Sequence, residues 1–165
     1  MQKELITQQG FQGFVDEFNT LVKIEKPHWV KEKEIAAAFG DRSENAEYIS
    51  AKEMLRNIDK RLRFLEKIIN NSDVINIDEL PHDRVNFGSQ VVVLNQDSEE
   101  EKTFIIVGTF ETNPSLNKIS NISPLGRVLL GKNVGDEVEF IINGTTFYYE
   151  ILSIKKYRER TEATP

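Results

Sequence analysis

From Tyr48 to Ile69 the apolar residues Tyr48, Ala51, Leu55, Ile58, Leu62, Leu65 and Ile69 alternate three and four positions apart across three heptads. A run of this kind draws one narrow apolar line along a helix, and only another helix covers such a line well. The candidate partner lies directly upstream. Residues 8–39 carry Phe11, Phe14, Phe18 and Leu21 at four-and-three spacing, with Thr7 as N-cap and a strong helix-forming run at Ala36, Ala37 and Ala38. Pro27 interrupts this helix and predicts a kink near Ile24 to Pro27, because proline removes a backbone hydrogen bond and crowds the preceding turn. Beyond it, Glu25, His28 and Glu32 continue the earlier stripe, while Trp29, Ile35 and Phe39 resume on a neighbouring line. Two helical segments joined only by Gly40 and its neighbours predict an antiparallel hairpin. At 1.5 Å per residue, a first helix of about thirty residues would reach roughly 45 Å, longer than a compact domain of this size needs.

After a polar stretch between Asn70 and Asp83, with a short extended piece expected at 74–77, the period changes to two. The runs Val85, Phe87, Val91 and Val93, then Phe104 and Ile106, then Val138, Phe140 and Ile142, then Phe147, Tyr149 and Ile151 predict four strands. Asn95 to Lys102 is expected to be a polar hairpin loop, and Asn143-Gly144 signals a type I′ turn. One short helix is predicted from Pro124 to Leu130, with Ser123 as N-cap and Gly131 as its end. The fold class is therefore α+β: an N-terminal antiparallel coiled-coil hairpin, then a small antiparallel sheet covered by one short helix. The expected organisation is a hairpin over 1–75, a linker over 76–83, a sheet domain over 84–157 and a flexible tail over 158–165.

Composition narrows function by exclusion. The 165 residues contain no cysteine, which removes disulfides, thiolate zinc sites and cysteine nucleophiles, and only His28 and His82 as imidazoles, too few for a metal centre. A net charge of -6 speaks against a general nucleic-acid binder, whose affinity comes from excess Lys and Arg. No apolar run approaches the ~20 residues that span a bilayer, and the N-terminus lacks a signal-peptide pattern, so a cytoplasmic protein is expected.

Two surface features remain. Asp41 and Glu44, with Glu47 one turn on, fall at the break between the helices. Asp-x-x-Glu at a helix start is commonly a capping box, yet carboxylates on the end of an arm can also serve a partner. Lys52, Arg56, Lys60, Arg63 and Lys67 form a basic stripe beside the apolar seam, interleaved with Glu53, Asp59 and Glu66. It is either a solvated flank or a guide for a phosphate backbone.

The block from Gly40 to Tyr48, together with Ile119-Ser120, Ser123-Pro124-Leu125-Gly126-Arg127-Val128-Leu129-Leu130-Gly131-Lys132 and Val134-Gly135-Asp136, strongly resembles the GreA/GreB transcript-cleavage factors of bacterial RNA polymerase. The likeness spans nearly the whole chain. It implies a coiled coil that enters the polymerase secondary channel and an FKBP-like domain that docks at the channel rim. It further implies that Asp41 and Glu44 are catalytic and share a Mg²⁺ with the polymerase active centre, promoting cleavage of nascent RNA in backtracked complexes. By the same resemblance Lys52 and Arg56 contact RNA, with Lys60 continuing their strip, and Ser120, Ser123 and Pro124 belong to the polymerase-docking loop. Asn121-Ile122 departs from the acidic or amide residue that often precedes the Ser-Pro pair. The protein so implied is a monomer and no enzyme on its own. Two other classes compete with this reading: a channel-binding inhibitor that does not cleave, and an FKBP-like prolyl isomerase or chaperone.

Overall fold

A computed structural model describes residues 3–40 and 44–158. They form two compact units, one of residues 9–72 and one of residues 1–8 with 73–165. Residues 3–8 thus group with the sheet unit, although their sequence position suggests the hairpin. Among the described residues no helix is long and apolar enough to cross a membrane.

The helical unit is the expected hairpin. Helix α1 spans Gln8–Thr20, a π-helical turn follows at Leu21–Glu25, α2 spans Lys26–Ala37 and α3 spans Ala46–Asn71. The π turn is how the chain accommodates Pro27. Proline has no N–H for the i→i−4 ladder and its ring would strike the preceding turn. One inserted residue widens that turn, and Lys26 N–H reaches back to the Leu21 carbonyl instead. The insertion also rotates the helix face that follows. Trp29 becomes half-buried and Ala36 fully buried, whereas Ile35 and Phe39, which continue the neighbouring apolar line begun by Trp29, are 45% and 77% exposed.

On α3 the seam holds as the spacing predicts. Ala51, Ile58 and Leu65 are buried, Leu55 and Leu62 half-buried, and at the C-terminal end Ile68 rather than Ile69 takes the innermost position. Two ion pairs tie the helices across this seam. Lys26 Nζ lies 2.7 Å from Asp59, and Arg61 makes a bidentate pair with Glu17 at 2.7 and 2.8 Å. The Glu17 hydrogen bond holds the Arg61 guanidinium above its ordinary value. All four side chains are more than a third exposed, so the pairs add little beyond register.

Asn45 starts α3. Its side-chain oxygen accepts from Tyr48 N–H at 3.1 Å, and its amide nitrogen donates across the hairpin to the Ala36 carbonyl at 2.7 Å. The capping box read from Asp41 and Glu44 is therefore corrected: Glu44 lies before the cap, and one amide side chain, able both to accept and to donate, does what a carboxylate cannot.

The sheet unit holds strands β1 (Glu4–Thr7), β2 (Ser72–Ile75), β3 (Ser89–Asn95), β4 (Glu101–Val107), β5 (Lys118–Ser120), β6 (Glu137–Ile142) and β7 (Thr145–Lys156), with helix α4 (Pro124–Leu129). β1 pairs with β2, and the larger sheet runs in the order β5-β4-β3-β7-β6. Its pairs are antiparallel except β4 with β5. That parallel edge departs from the expected all-antiparallel sheet, because the segment between them crosses back through two short 3-10 turns at Thr109–Glu111 and Pro114–Leu116. Val85 and Phe87 are core residues as their pattern suggests, yet they precede the strand and do not extend it. Asn143 and Gly144 both take positive φ, 50° and 80°, as a type I′ turn requires.

Alternate residues of β3, β6 and β7 point inward, and α4 closes the core over them with Leu125 and Leu129. Phe140 stacks on Phe147 at 5.2 Å and meets Tyr149 edge-on at 5.1 Å. Burial pushes the Tyr149 hydroxyl above its ordinary pKa. The segment 76–82 folds onto this unit: Lys156 holds Asp78 at 2.5 Å, and His82 bridges Ser89 Oγ and the Ile77 carbonyl.

Three stability outcomes follow. Leu65→Ala, at a fully buried seam position, should destabilise the protein by about 2–5 kcal/mol in chemical denaturation. Asn45→Ala removes a cap and a cross-hairpin bond together, and should cost about 1–2 kcal/mol by the same measurement, whereas Glu44→Ala should leave stability within about 0.5 kcal/mol.

Candidate functional site

The hairpin tip is built by what ends α2 and what starts α3. α2 closes through Ala38 and Phe39, whose amides bond to the Ile35 and Ala36 carbonyls, and Asn45 reopens the helix on the return. Asp41, with Arg42 and Ser43, lies outside the described residues. Glu44 is exposed and, among the described residues, makes no hydrogen bond or ion pair. Glu47, in the first turn of α3, is exposed as well. Among the described residues no group of three or more His, Cys, Asp or Glu is placed to hold a metal ion. Glu44 offers an exposed, hard oxygen donor with no bond among the described residues. That donor suits Mg²⁺, which keeps several waters and takes one or two protein carboxylates.

Behind the tip the surface is less polar than the sequence suggests. Ile35 and Phe39 on the outgoing strand of the hairpin and Ile49 on the return are all 45% exposed or more. Between α2 and α3 a shallow notch is lined by Val30, Lys33, Glu34, Ala37, Tyr48 and Leu55. Lys33 Nζ sits 5.9 Å from the Tyr48 ring centre, which caps one side of the notch.

Lys52, Arg56 and Lys60 are exposed, as are Arg63 and Lys67. At 100° per residue the five fall within an arc of about 80°. The buried seam is centred roughly 150° away, so the strip occupies the back of α3 and not the flank of the seam. Only Arg56 has a described acidic neighbour in this group, Glu53 at 3.6 Å, and that pair is 72% and 56% exposed. Distance from the seam frees these cations from holding the hairpin together.

In the sheet unit Ser120, Ser123 and Pro124 come together on one turn leading into α4. Ser120 is buried; its Oγ accepts from Ile122 N–H at 3.2 Å. Ser123 Oγ donates to the Ser120 carbonyl at 2.7 Å and accepts from Gly126 N–H at 3.1 Å. The two serines therefore shape the loop, and what it presents outward is Pro124 and Ile122, the latter 49% exposed. Gly126 makes the turn possible, since a Cβ there would lie 2.2 Å from the Ser120 carbonyl oxygen. A groove beside the loop is lined by Pro124, Arg127, Val128, Phe140, Ile141 and Tyr148, with Glu139 and Thr146.

Gly126→Ala should therefore distort the Ser120–Ser123 turn and cost about 1–3 kcal/mol, read from the shift in denaturation midpoint.

Comparison with known proteins matches the chain in two parts. Residues 4–74 match the model of the transcription elongation factor N-terminal domain, and residues 80–156 that of the GreA/GreB C-terminal domain. The transcription elongation factor GreA of a Nitratiruptor species is 43% identical over 153 residues, covering 93% of both chains. GreA of Helicobacter hepaticus is 38% identical over 154 residues, covering 93% of this chain and 94% of that protein. Among solved structures, the GreA factor homolog 1 of Thermus thermophilus aligns over 93% of this chain and 99% of its own, at 21% identity and a TM-score of 0.43, too low to argue from. With both halves matched in order and close relatives aligned end to end, this chain belongs to the GreA/GreB family of transcription elongation factors.

Proposed function

We propose that this elongation factor binds bacterial RNA polymerase, inserts its hairpin tip into the secondary channel and stimulates cleavage of nascent RNA in backtracked complexes. The observation that carries the reading is the transfer of the helix cap to Asn45, which leaves the Glu44 carboxylate exposed with no task inside the described fold. An acid needed for capping would be unavailable to a partner. An acid displaced from capping is ready for one.

In this mechanism Asp41 and Glu44 present carboxylate oxygens to a cation shared with the polymerase's own acidic site. When bound there, Mg²⁺ supplies charge neutralisation and Lewis-acid assistance to phosphodiester hydrolysis. Asn45 fixes where α3 begins and so where Glu44 is offered. Lys52, Arg56 and Lys60 draw in the RNA phosphates along the outer face of α3, an attraction that salt weakens. The Ser120–Pro124 turn provides the docking contact, with Ser120 and Ser123 holding Pro124 outward. Two solvated carboxylates bind Mg²⁺ weakly by themselves, so the factor is inert as a nuclease without polymerase and works as a monomer in the cytoplasm.

Stalled elongation complexes test this directly. Asp41→Ala and Glu44→Ala should each lower stimulated cleavage by at least the roughly 10–100-fold that disturbing a metal's supporting groups costs, with polymerase binding retained. Cleavage surviving both substitutions would remove the metal role, and strong polymerase binding with inhibition by the unmodified protein would favour a non-cleaving channel regulator. Separately, Lys52→Ala, Arg56→Ala and Lys60→Ala combined should raise the concentration needed for half-maximal cleavage at low salt and flatten its dependence on salt, because up to three phosphate contacts are lost.

A further inference from the structure

Resting on the cleavage reading above, we infer that Glu111 is a positioning residue: its carboxylate holds the strand from which the hairpin arm starts, and cleavage needs that hold although docking does not. Strand β1 ends at Thr7, and α1 begins at the next residue, Gln8. Glu111 lies in the 3-10 turn after β4, far from Thr7 in sequence. One of its oxygens accepts from Thr7 N–H at 3.0 Å and from Gly108 N–H at 2.9 Å. The other accepts from the Thr7 hydroxyl. A second link runs beside it, from the Thr109 hydroxyl to the Glu4 carboxylate at 3.1 Å.

The surroundings are shaped for this contact. Thr7 is buried, Ile6 is completely so, and Glu111 is half-buried, so the bonds are shielded from competing water. At Gly108 a Cβ would fall 1.7 Å from the Leu5 carbonyl oxygen, so the strand can pass only over a glycine. A single carboxylate gathering two backbone amides and a hydroxyl makes a charge-assisted clamp rather than a passing surface contact. Its target is the last residue before the arm, and the docking turn at Ser120–Pro124 makes no described bond to it. Loss of the clamp should therefore act on what the arm delivers and spare how the sheet unit docks.

The substitutions separate this from simple support of the fold. Glu111→Ala removes all three bonds, and of these three Thr7→Val removes the hydroxyl bond while leaving both amide bonds. Glu111→Gln is the rescuing variant: its oxygen can still accept both amides, while its amide nitrogen donates to a Thr7 hydroxyl that now accepts. The experiment uses the full-length protein and stalled elongation complexes, with hydrogen exchange at the Thr7 and Gly108 amides measured in parallel. Glu111→Ala should speed exchange at both amides at least tenfold and lower the maximal cleavage rate at least fivefold, with half-maximal concentration changed less than twofold. Thr7→Val should fall between that variant and the unmodified protein, and Glu111→Gln should restore most of the rate.

Unchanged exchange in Glu111→Ala would overturn the clamp. Faster exchange with an unaltered maximal rate would overturn the positioning role. A parallel loss of rate and affinity, shared by Glu111→Gln, would reduce Glu111 to general support and overturn it too. Failure of the unmodified protein to stimulate cleavage would instead overturn the underlying cleavage reading, and is seen before any variant is compared.

Discussion

The apolar seam of α3 is the contact on which the hairpin depends. A helix of 26 residues extends about 39 Å, and most of its stability must come from covering one face, since an isolated helix of such composition is marginal in water. Ala51, Ile58, Leu65 and Ile68 provide that face, and the last two are essentially without solvent contact. Because the seam is narrow, more than half of the helix circumference carries no packing duty. The cations from Lys52 to Lys67 occupy this free surface. Their position on the back of α3 follows from the narrowness of the seam as much as from their own spacing.

Packing changes character along the arm. Toward the root, the large side chains Phe11, Phe14 and Phe18 are half-buried. Beyond the π turn the inner face is rebuilt from Trp29 and Ala36, and α3 answers near the same end with Ala51. Alanines allow a closer approach of backbones than phenylalanines do, and the Asn45 amide crosses the remaining gap to the Ala36 carbonyl. Pro27 therefore does more than bend a helix. By forcing an extra residue into one turn it changes which residues face inward.

Much of this was legible from residue order where one element decides its own structure. The heptad line of α3, the Ser123 cap and the Asn143-Gly144 turn all act within a few residues of themselves, so their patterns carry over directly. Illegible features depend on partners distant along the chain. Asp41 and Glu44 match a capping box as well as Asn45 matches a cap. What separates them is the Ala36 carbonyl, nine residues upstream, which needs a donor that no carboxylate supplies. Exposure of Ile35 and Phe39 depends on the π turn, and a proline signals a disturbance without saying whether the ladder kinks or widens. The local spacing of Glu111 shows only its bond to Gly108 N–H, since its other donors belong to Thr7, 104 residues away. At the Ser120–Pro124 turn the motif named the residues but not their division of labour: both serines are spent on the loop itself.

The site at the tip is consistent with a factor that must stay silent until engaged. A carboxylate buried among donors would hold its geometry in advance, but desolvation and internal hydrogen bonds would compete with any cation it met. Among the described residues Glu44 meets neither constraint, so under the proposed mechanism its affinity for Mg²⁺ in free solution would be set by water, which binds that ion tightly and leaves reluctantly. Only a second set of ligands, already oriented, can tilt the exchange toward binding. Under the proposed mechanism those ligands belong to the polymerase, and the protein contributes a rigid arm, a fixed helix start and an unencumbered oxygen. Preorganisation therefore resides in the arm and its root, while the reacting groups remain solvated until the partner encloses them.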